Sequence, residues 1–273
     1  MNGKLLIGII ALLAAAQAAE PLAFGNKGEL AAFTVVGQNL VAASTNARLF
    51  AIGARDTNGR EVIIGSETGA FAGDARSANA HELYFASLGG VPLDARVKVR
   101  FDEREGRSFW RIALDNRSEL RLEWVEFPCI SVPNDLRDDP KGPAIFWPGN
   151  EGCLVTDADF RKRHGQAYQP QGYPSGGWCG RYPGAVQMPF MAYLRHGAGL
   201  YLGAHDPHFA SKEIDYVREG NRVRLVMKLY LAGAGRGEWK MDYDIVLGAI
   251  GTTRRKSIAR GWSLNRARVC RRS

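Results

Sequence analysis

Residues 97–114 read VKVRFDEREGRSFWRIAL, and this stretch decides the fold class. Apolar side chains alternate with mostly polar ones on both sides of Glu105-Gly106, which provides a turn. The apolar members are Val97, Val99 and Phe101 before the turn, and Trp110, Ile112 and Leu114 after it. The stretch therefore predicts an antiparallel hairpin that buries one face in a hydrophobic core.

The same two-residue period recurs on either side of this hairpin. Upstream, residues 49–52 and 62–64 flank the sequence DTNG at 56–59, which is typical of hairpin turns. The apolar members of the later runs are Leu120, Leu122 and Trp124; Val223, Leu225, Met227 and Leu229; and Trp239, Met241, Tyr243, Ile245 and Leu247. No long helical period interrupts them, which argues against a parallel sheet. We predict an all-β fold, a large antiparallel β-supersandwich over residues 19–250.

The start of the chain differs from this body. Lys4 precedes an apolar run over residues 5–16, and Ala16-Gln17-Ala18 offers small residues where a signal peptidase cleaves. The run is short for a bilayer span, which needs ~20 apolar residues. We expect residues 1–18 to be a signal peptide, and the protein to be secreted or periplasmic without a membrane span after its removal. A membrane-anchored N-terminus is the alternative.

The end of the chain carries the whole positive charge excess. Residues 251–273 contain eight basic residues and no acidic one, whereas the entire chain has 36 basic and 28 acidic residues. The body is therefore electrically balanced, and we expect no nucleic-acid partner for it. Two interpretations of the tail stay open. It is a basic arm for a nucleic acid or a membrane surface, or it is frame-shifted, because a two-base shift of GC-rich codons yields an amphipathic helix.

The cysteines allow one disulfide without fixing it. The chain has four of them, Cys129, Cys153, Cys179 and Cys270, and none forms a CxxC pair. In an exported protein, two of the first three can be linked. Cys153 with Cys179 is the candidate pair, because both lie in a Gly-rich region. Buried free thiols are the alternative.

Residues 127–189 are rich in Pro, Gly and aromatic side chains, and a long irregular stretch of this kind is usually functional when it is ordered. Carbohydrate binding uses aromatic faces for the apolar side of a sugar ring and planar polar groups for its hydroxyls. The glycan-contact candidates from this stretch are Trp147, Tyr168, Tyr173, Trp178 and Tyr182. For each of them, packing on the sandwich core is the alternative.

His205-Asp206, with His208 nearby, completes the set of glycan-contact candidates. A histidine beside a carboxylate can act as an acid–base pair or ligate a metal. Neighbouring strand residues point to opposite faces, and no third ligand is evident, so we assign no metal site and no cofactor. A structural His–Asp pair at a strand end is the alternative. Oxygen ligands for calcium are available at Asp135, Asp138, Asp139, Asp157 and Asp159, but without EF-hand spacing they predict a solvated loop.

Three segments resemble a known family. They are Leu114-Asp115-Asn116-Arg117-Ser118 leading to Glu126-Phe127-Pro128; Tyr182-Pro183-Gly184 followed by Gln187-Met188-Pro189-Phe190-Met191-Ala192-Tyr193; and Gly199-Leu200-Tyr201-Leu202-Gly203-Ala204-His205-Asp206-Pro207, with Lys212 soon after. Together they resemble the N-terminal galactose-mutarotase-like supersandwich of large bacterial glycoside-hydrolase-like proteins, to which the endo-α-N-acetylgalactosaminidases are distantly related in architecture. In that family a (β/α)₈ barrel follows the sandwich and carries the catalytic carboxylates.

The resemblance implies a carbohydrate-related accessory β-sandwich, with an oligo- or polysaccharide and a catalytic barrel as partners. A barrel alone takes ~250 residues, so we expect the chain to stop before it and assign no catalytic residue. One alternative is a free-standing sugar epimerase, mutarotase or lyase that uses His205 and a carboxylate. His164, His205 and Glu213 are available for such chemistry, although the epimerase stretch Asn-His-x-Tyr-Phe-Asn is absent. Another is a non-catalytic cell-surface module for glycan binding or adhesion.

Overall fold

The computed structural model describes residues 21–35, 37–43, 46–139, 142–149, 152–157, 179–195 and 198–251. The predicted signal peptide and nearly all of the basic tail lie outside these residues, as do Tyr168, Tyr173 and Trp178. Within them, no helix combines the length and the apolar character that a membrane crossing requires. Antiparallel strands, numbered β1 to β20 in chain order, dominate the structure and confirm the all-β prediction.

The larger sheet has ten strands in the described part of the chain. In spatial order they are β13 (Cys153–Val155), β12 (Ala144–Trp147), β15 (Phe190–Leu194), β16 (Ala198–His205), β20 (Asp244–Gly251), β9 (Arg107–Asn116), β8 (Leu93–Asp102), β7 (Ala80–Ala86) and β6 (Ala70–Ser77), with β19 (Gly237–Lys240) paired separately to β9. The predicted hairpin of residues 97–114 is the β8–β9 pair at the heart of this sheet.

The smaller sheet has seven described strands. They are β14 (Gly180–Tyr182), β17 (Lys212–Glu219), β18 (Arg222–Ala234), β10 (Arg121–Glu126), β4 (Ala51–Arg55) and β5 (Glu61–Gly65), with β11 (Ile130–Pro133) paired to β18 beside this path. A third sheet contains β1 (Leu22–Phe24), β2 (Leu30–Val35) and β3 (Gln38–Asn39). Two short 3₁₀ turns, Ser66–Thr68 and Leu88–Gly90, follow β5 and β7.

The two large sheets pack face to face over one hydrophobic core. The alternation of the sequence is the cause, because every second residue of a strand points inward. Inward members include Ile52, Val125 and Leu225 of the smaller sheet and Val97, Leu202 and Leu247 of the larger one, all in a single buried cluster. The Tyr216 hydroxyl on β17 donates to the Phe146 carbonyl oxygen of β12 at 2.5 Å and accepts the Ala192 N–H of β15 at 3.2 Å. This hydroxyl therefore links one sheet to the other.

The Pro- and Gly-rich middle of the chain is more regular than the sequence predicts. Four short strands, β11 to β14, lie within it. Their ends coincide with prolines: Pro133 ends β11, Pro143 precedes β12 and Pro148 follows β12. A proline has no N–H to donate to a neighbouring strand, so pairing stops there. Asp135 lies in the described residues that follow β11.

Candidate functional site

Asp206 and Lys212 form a buried ion pair at one end of the sandwich. Asp206 directly follows β16 of the larger sheet, and Lys212 begins β17 of the smaller sheet. Both side chains are fully buried, and Lys212 Nζ donates to Asp206 Oδ2 and, at 2.8 Å, to the Ala210 carbonyl oxygen. Asp206 also accepts the N–H groups of His208 and Ala210, each at 2.8 Å. The carboxylate thus closes the turn after β16 and ties the sheets together.

Two tyrosine rings surround this ion pair. Lys212 Nζ lies 4.8 Å from the centroid of the Tyr243 ring and 5.6 Å from that of the Tyr182 ring. Burial lowers the pKa of Lys212, and the Asp206 carboxylate opposes that change only in part. Burial acts in the opposite direction on Asp206, but the hydrogen bonds from Lys212 and the loop N–H groups outweigh it and lower the pKa of Asp206. The surroundings of Asp206 therefore favour its ionised form, as a partner for Lys212.

His205 lies on the other side of the strand from Asp206, as the alternation of a strand requires. It is exposed, and its Nε2 lies 3.3 Å from the Tyr201 hydroxyl. Partial burial of the ring and the positive charge of Arg107 lower the pKa of His205, so its imidazole is neutral near pH 7. Asp206 takes Lys212 as its partner rather than His205, so the proposed His–Asp pair is not formed.

Of the five aromatic glycan-contact candidates, two are buried and three lie among residues that the structure does not describe. Trp147 is 7 % exposed and Tyr182 is 4 % exposed, as the packing alternative requires. Tyr168, Tyr173 and Trp178 fall among the residues that the structure does not describe. Glycan contact by all five stays a prediction. The Cys153–Cys179 disulfide also stays a prediction, because the side chain of Cys153 lies outside the description.

The outer face of the smaller sheet carries a polar cluster that includes Glu213. Glu213 Oε1 accepts Lys228 Nζ at 3.1 Å, and its Oε2 accepts the Tyr230 hydroxyl at 3.1 Å. Lys228 Nζ in turn lies 4.9 Å from the centroid of the Trp124 ring. Glu213 is therefore held by partners on β18, and it lies on a different sheet from His205. This separation removes geometric support for an acid–base pair between these two residues.

Asp215 lies two residues further along the same face of β17. It is 4 % exposed, and its Oδ1 has no hydrogen-bond partner. Burial, followed by the negative charge of Glu213, raises the pKa of Asp215 to about 6. A carboxyl of this kind changes its protonation state within the pH range in which many proteins are studied.

A polar cleft opens at another margin of the sandwich, where β3 and the loops after β11 and β15 meet. Its volume is about 610 Å³, within the size range of small-molecule sites. It is lined by Gln38, Asn39, Asp135, Arg137, Pro143 and Arg195. We call this cavity the Asp135 cleft. Five of its six lining residues carry planar polar groups, which is the type of lining that recognises sugar hydroxyls.

Asp135 is held in this cleft by two partners. The buried Tyr193 hydroxyl donates to Asp135 Oδ1, and Arg195 Nη2 lies 3.0 Å from Asp135 Oδ2. Burial and the hydrogen bond to Asp135 raise the pKa of Tyr193, so the phenol stays protonated and able to donate. The carboxylate is therefore fixed in position before any ligand arrives.

From the sequence, Asp135 was predicted only as one of several acidic residues in a solvated loop. Among the described residues, no group of three or more His, Cys, Asp and Glu side chains is placed to share a metal ion. The cleft was missed because its members come from four separate segments of the chain, and no local motif joins them. Lys212 was noticed within a motif, but its burial was not predicted, since lysine is rarely inside a protein.

Comparison with known proteins identifies the architecture. No protein-family model matches the chain, and no curated protein is similar to it in sequence. Among solved structures, one match is the α-N-acetylgalactosaminidase NagBb of Bifidobacterium bifidum, with a TM-score of 0.56 and 16 % identity. The superposition covers 88 % of this chain and 37 % of the NagBb chain. Another match is the GH36 α-galactosidase AgaB of Geobacillus stearothermophilus, with a TM-score of 0.51 and 10 % identity, and it covers 84 % of this chain and 38 % of the AgaB chain.

These matches confirm the predicted resemblance at the level of the fold. The chain spans less than two fifths of the length of the glycosidases that it matches. At these identities the likeness concerns the arrangement of the backbone and not the chemistry of a site. The chain thus has the β-supersandwich fold found within larger bacterial glycoside hydrolases.

Proposed function

We propose that this chain is a carbohydrate-related accessory β-sandwich of a secreted glycoside-hydrolase-like protein, one that supports a catalytic unit and contacts glycan without cleaving it. The observation that supports this proposal most strongly is the shared fold, because 88 % of this chain matches 37 % of the chain of an α-N-acetylgalactosaminidase. The match therefore covers a minority of that enzyme's length. The partners we propose are therefore an oligo- or polysaccharide and a catalytic barrel.

Three buried carboxylates, those of Asp206, Glu213 and Asp215, support a non-catalytic role. Glycosidases use two carboxyl groups that flank a bond of the substrate, and these groups must be reachable. Glu213 and Asp215 share one face of β17, but each is 4 % exposed and Glu213 is bound by Lys228 and Tyr230. Asp206 is bound by Lys212 inside the sandwich. By contrast, the Asp135 cleft is open and polar, as a binding surface for glycan requires.

One observation favours an epimerase or mutarotase as the second candidate. His205 is exposed and its pKa is lowered, so near pH 7 it holds a neutral imidazole that can accept a proton. Such an enzyme needs a second acid or base at the anomeric carbon, and Glu213 lies on the other sheet. The accessory role therefore has the stronger geometric support.

Glycan binding and turnover measured side by side test the proposal. The purified chain is applied to a glycan array, and each bound glycan is then incubated with it while NMR follows the anomeric signals. We expect binding with no cleavage and no acceleration of anomer exchange. Anomer exchange that is lost in His205→Ala would establish the epimerase instead, and cleavage of a glycosidic bond would refute the accessory role.

Export is tested separately. Expression in a bacterial host followed by N-terminal sequencing should find a mature chain that begins at Ala19 in the periplasm or the medium. An intact Met1 in the cytoplasm would contradict the proposed signal peptide.

A further inference from the structure

The Asp135 cleft combines a carboxylate that is held in a fixed position with hydrogen-bonding groups that are not satisfied. Asp135 is fixed by the buried Tyr193 hydroxyl and by Arg195, which neutralises its charge. Charged groups that are held by buried partners cost little reorganisation when a ligand binds. The cleft is therefore preorganised around this carboxylate.

Two amides next to the carboxylate supply groups for hydroxyls. Asn39 Oδ1 accepts the N–H groups of Phe33 at 3.0 Å and of Val41 at 3.2 Å, which fixes the side chain. Its amide nitrogen is left as a donor, since no described residue accepts from it. Gln38, the preceding residue of β3, is exposed and offers a further donor and acceptor. Together with Asp135 these groups match the paired donors and acceptors of vicinal hydroxyls.

Arg137 gives the cleft a charge that is not neutralised. It is exposed, and within the described chain it has no ion-pair partner, whereas Arg195 is paired with Asp135. The lining thus has two guanidinium groups and one carboxylate. A guanidinium binds a carboxylate or a sulfate through two parallel hydrogen bonds. A neutral sugar would bring no negative charge to pair with the Arg137 guanidinium.

We propose that the Asp135 cleft binds an acidic saccharide, with Arg137 on its anionic substituent and Gln38, Asn39 and Asp135 on its hydroxyls. The inference rests on the proposed function and adds to it the location of the site and the class of sugar. A uronic acid and a sulfated sugar share the chemistry that Arg137 recognises.

Calorimetric titration of the full chain with three related trisaccharides tests the inference. They are trigalacturonate, its fully methyl-esterified form and a sulfated galactotriose, so that charge changes while the sugar ring stays similar. We expect trigalacturonate or the sulfated sugar to bind at least about tenfold more tightly than the ester. The tighter of the two identifies the anion, and the preference should weaken as salt is added.

Substitutions then locate the site. Arg137→Gln keeps a planar polar side chain but removes the charge, so it should abolish the preference for the acidic sugar. Gln38→Ala should weaken the binding of the acidic sugar and of the ester to the same extent. Arg60→Gln is the matched control, since Arg60 is an exposed arginine of the β4–β5 hairpin turn, and it should change neither affinity.

The outcomes separate this inference from the function on which it rests. If neither trigalacturonate nor the sulfated galactotriose bound more tightly than the ester, or if Arg137→Gln kept the preference, the inference would be overturned while glycan binding stayed intact. Displacement of the sugar by inorganic sulfate at equal concentration would reduce the cleft to a simple anion site and would also overturn it. No binding of any saccharide would refute the proposed function itself.

Discussion

Lys212 is a single residue that connects the two sheets at one end of this sandwich. Its ammonium group lies between a carboxylate from the larger sheet and the rings of Tyr182 and Tyr243, with no exposure to solvent. Desolvating two charges is costly, and the geometry offsets that cost through the extra hydrogen bonds of Asp206 with its loop. The pair and the turn after β16 therefore form one unit.

Replacing Lys212 by Met should leave the Asp206 carboxylate buried without a cation. We expect the free energy of unfolding to fall by about 3–5 kcal/mol, as for other broken buried pairs. Urea denaturation measures this loss. Lys240→Met is the control, because Lys240 is 60 % exposed in its salt bridge and should change stability by less than about 0.5 kcal/mol. Equal effects of the two substitutions would contradict the structural role of the pair.

Asp215 should make stability depend on pH. Its pKa of about 6 lies above the usual value of 3.8, so the folded state holds a proton that the unfolded state releases between these two values. The stabilisation is complete below about pH 4 and is lost as the pH rises through 6. At pH 7, Asp215→Asn should be more stable than the wild type by up to about 3 kcal/mol, and at pH 4 the two should be alike.

Denaturation of both proteins across this pH range provides the measurement. Asp115→Asn is the control, because the Asp115 side chain is 51 % exposed. A stability difference between the Asp215 variant and the wild type that does not change with pH would show that the carboxyl titrates normally.

At the scale of elements, hairpins were predictable because their signals are local. Residues 97–114 contain both strands and the turn of β8–β9, and Gly106 adopts the left-handed conformation with φ of 61°. The run from Trp239 to Leu247 was predicted as one strand but forms two, β19 and β20, both paired to β9. Its alternation persists across the break, so sequence periodicity alone did not reveal it.

The DTNG turn between β4 and β5 permits a direct test of local turn chemistry. Gly59 has φ of +76°, and a Cβ added there would meet no atom within 4 Å. Gly59→Ala should therefore destabilise the protein through backbone strain alone, by about 1 kcal/mol. Gly235→Ala is the control, since Gly235 is equally open and its φ lies outside the left-handed region. Thermal denaturation that ranks the two variants equally would contradict the assigned turn.

For the molecule as a whole, the sequence predicted the architecture better than the site. Inward alternation along many strands leaves few options besides two packed sheets, and the solved glycosidases share that arrangement. The Asp135 cleft had no comparable signal, because Gln38, Asp135 and Arg195 meet only after three distant segments fold together. Trp147 and Tyr182 were considered either as glycan contacts or as core packing, and both are buried. A sequence does not distinguish an aromatic ring that binds a ligand from one that fills a core.

We propose that this sandwich binds carbohydrate without transforming it. The most direct measurement is an NMR titration of the ¹⁵N-labelled chain with oligosaccharides, recorded on protein and sugar together. We expect saturable shifts of backbone amides around Asn39, Asp135, Arg137 and Arg195, while the anomeric signals of the sugar keep their intensities. New anomeric signals, or a protein spectrum that no saccharide changes, would contradict this non-catalytic binding role.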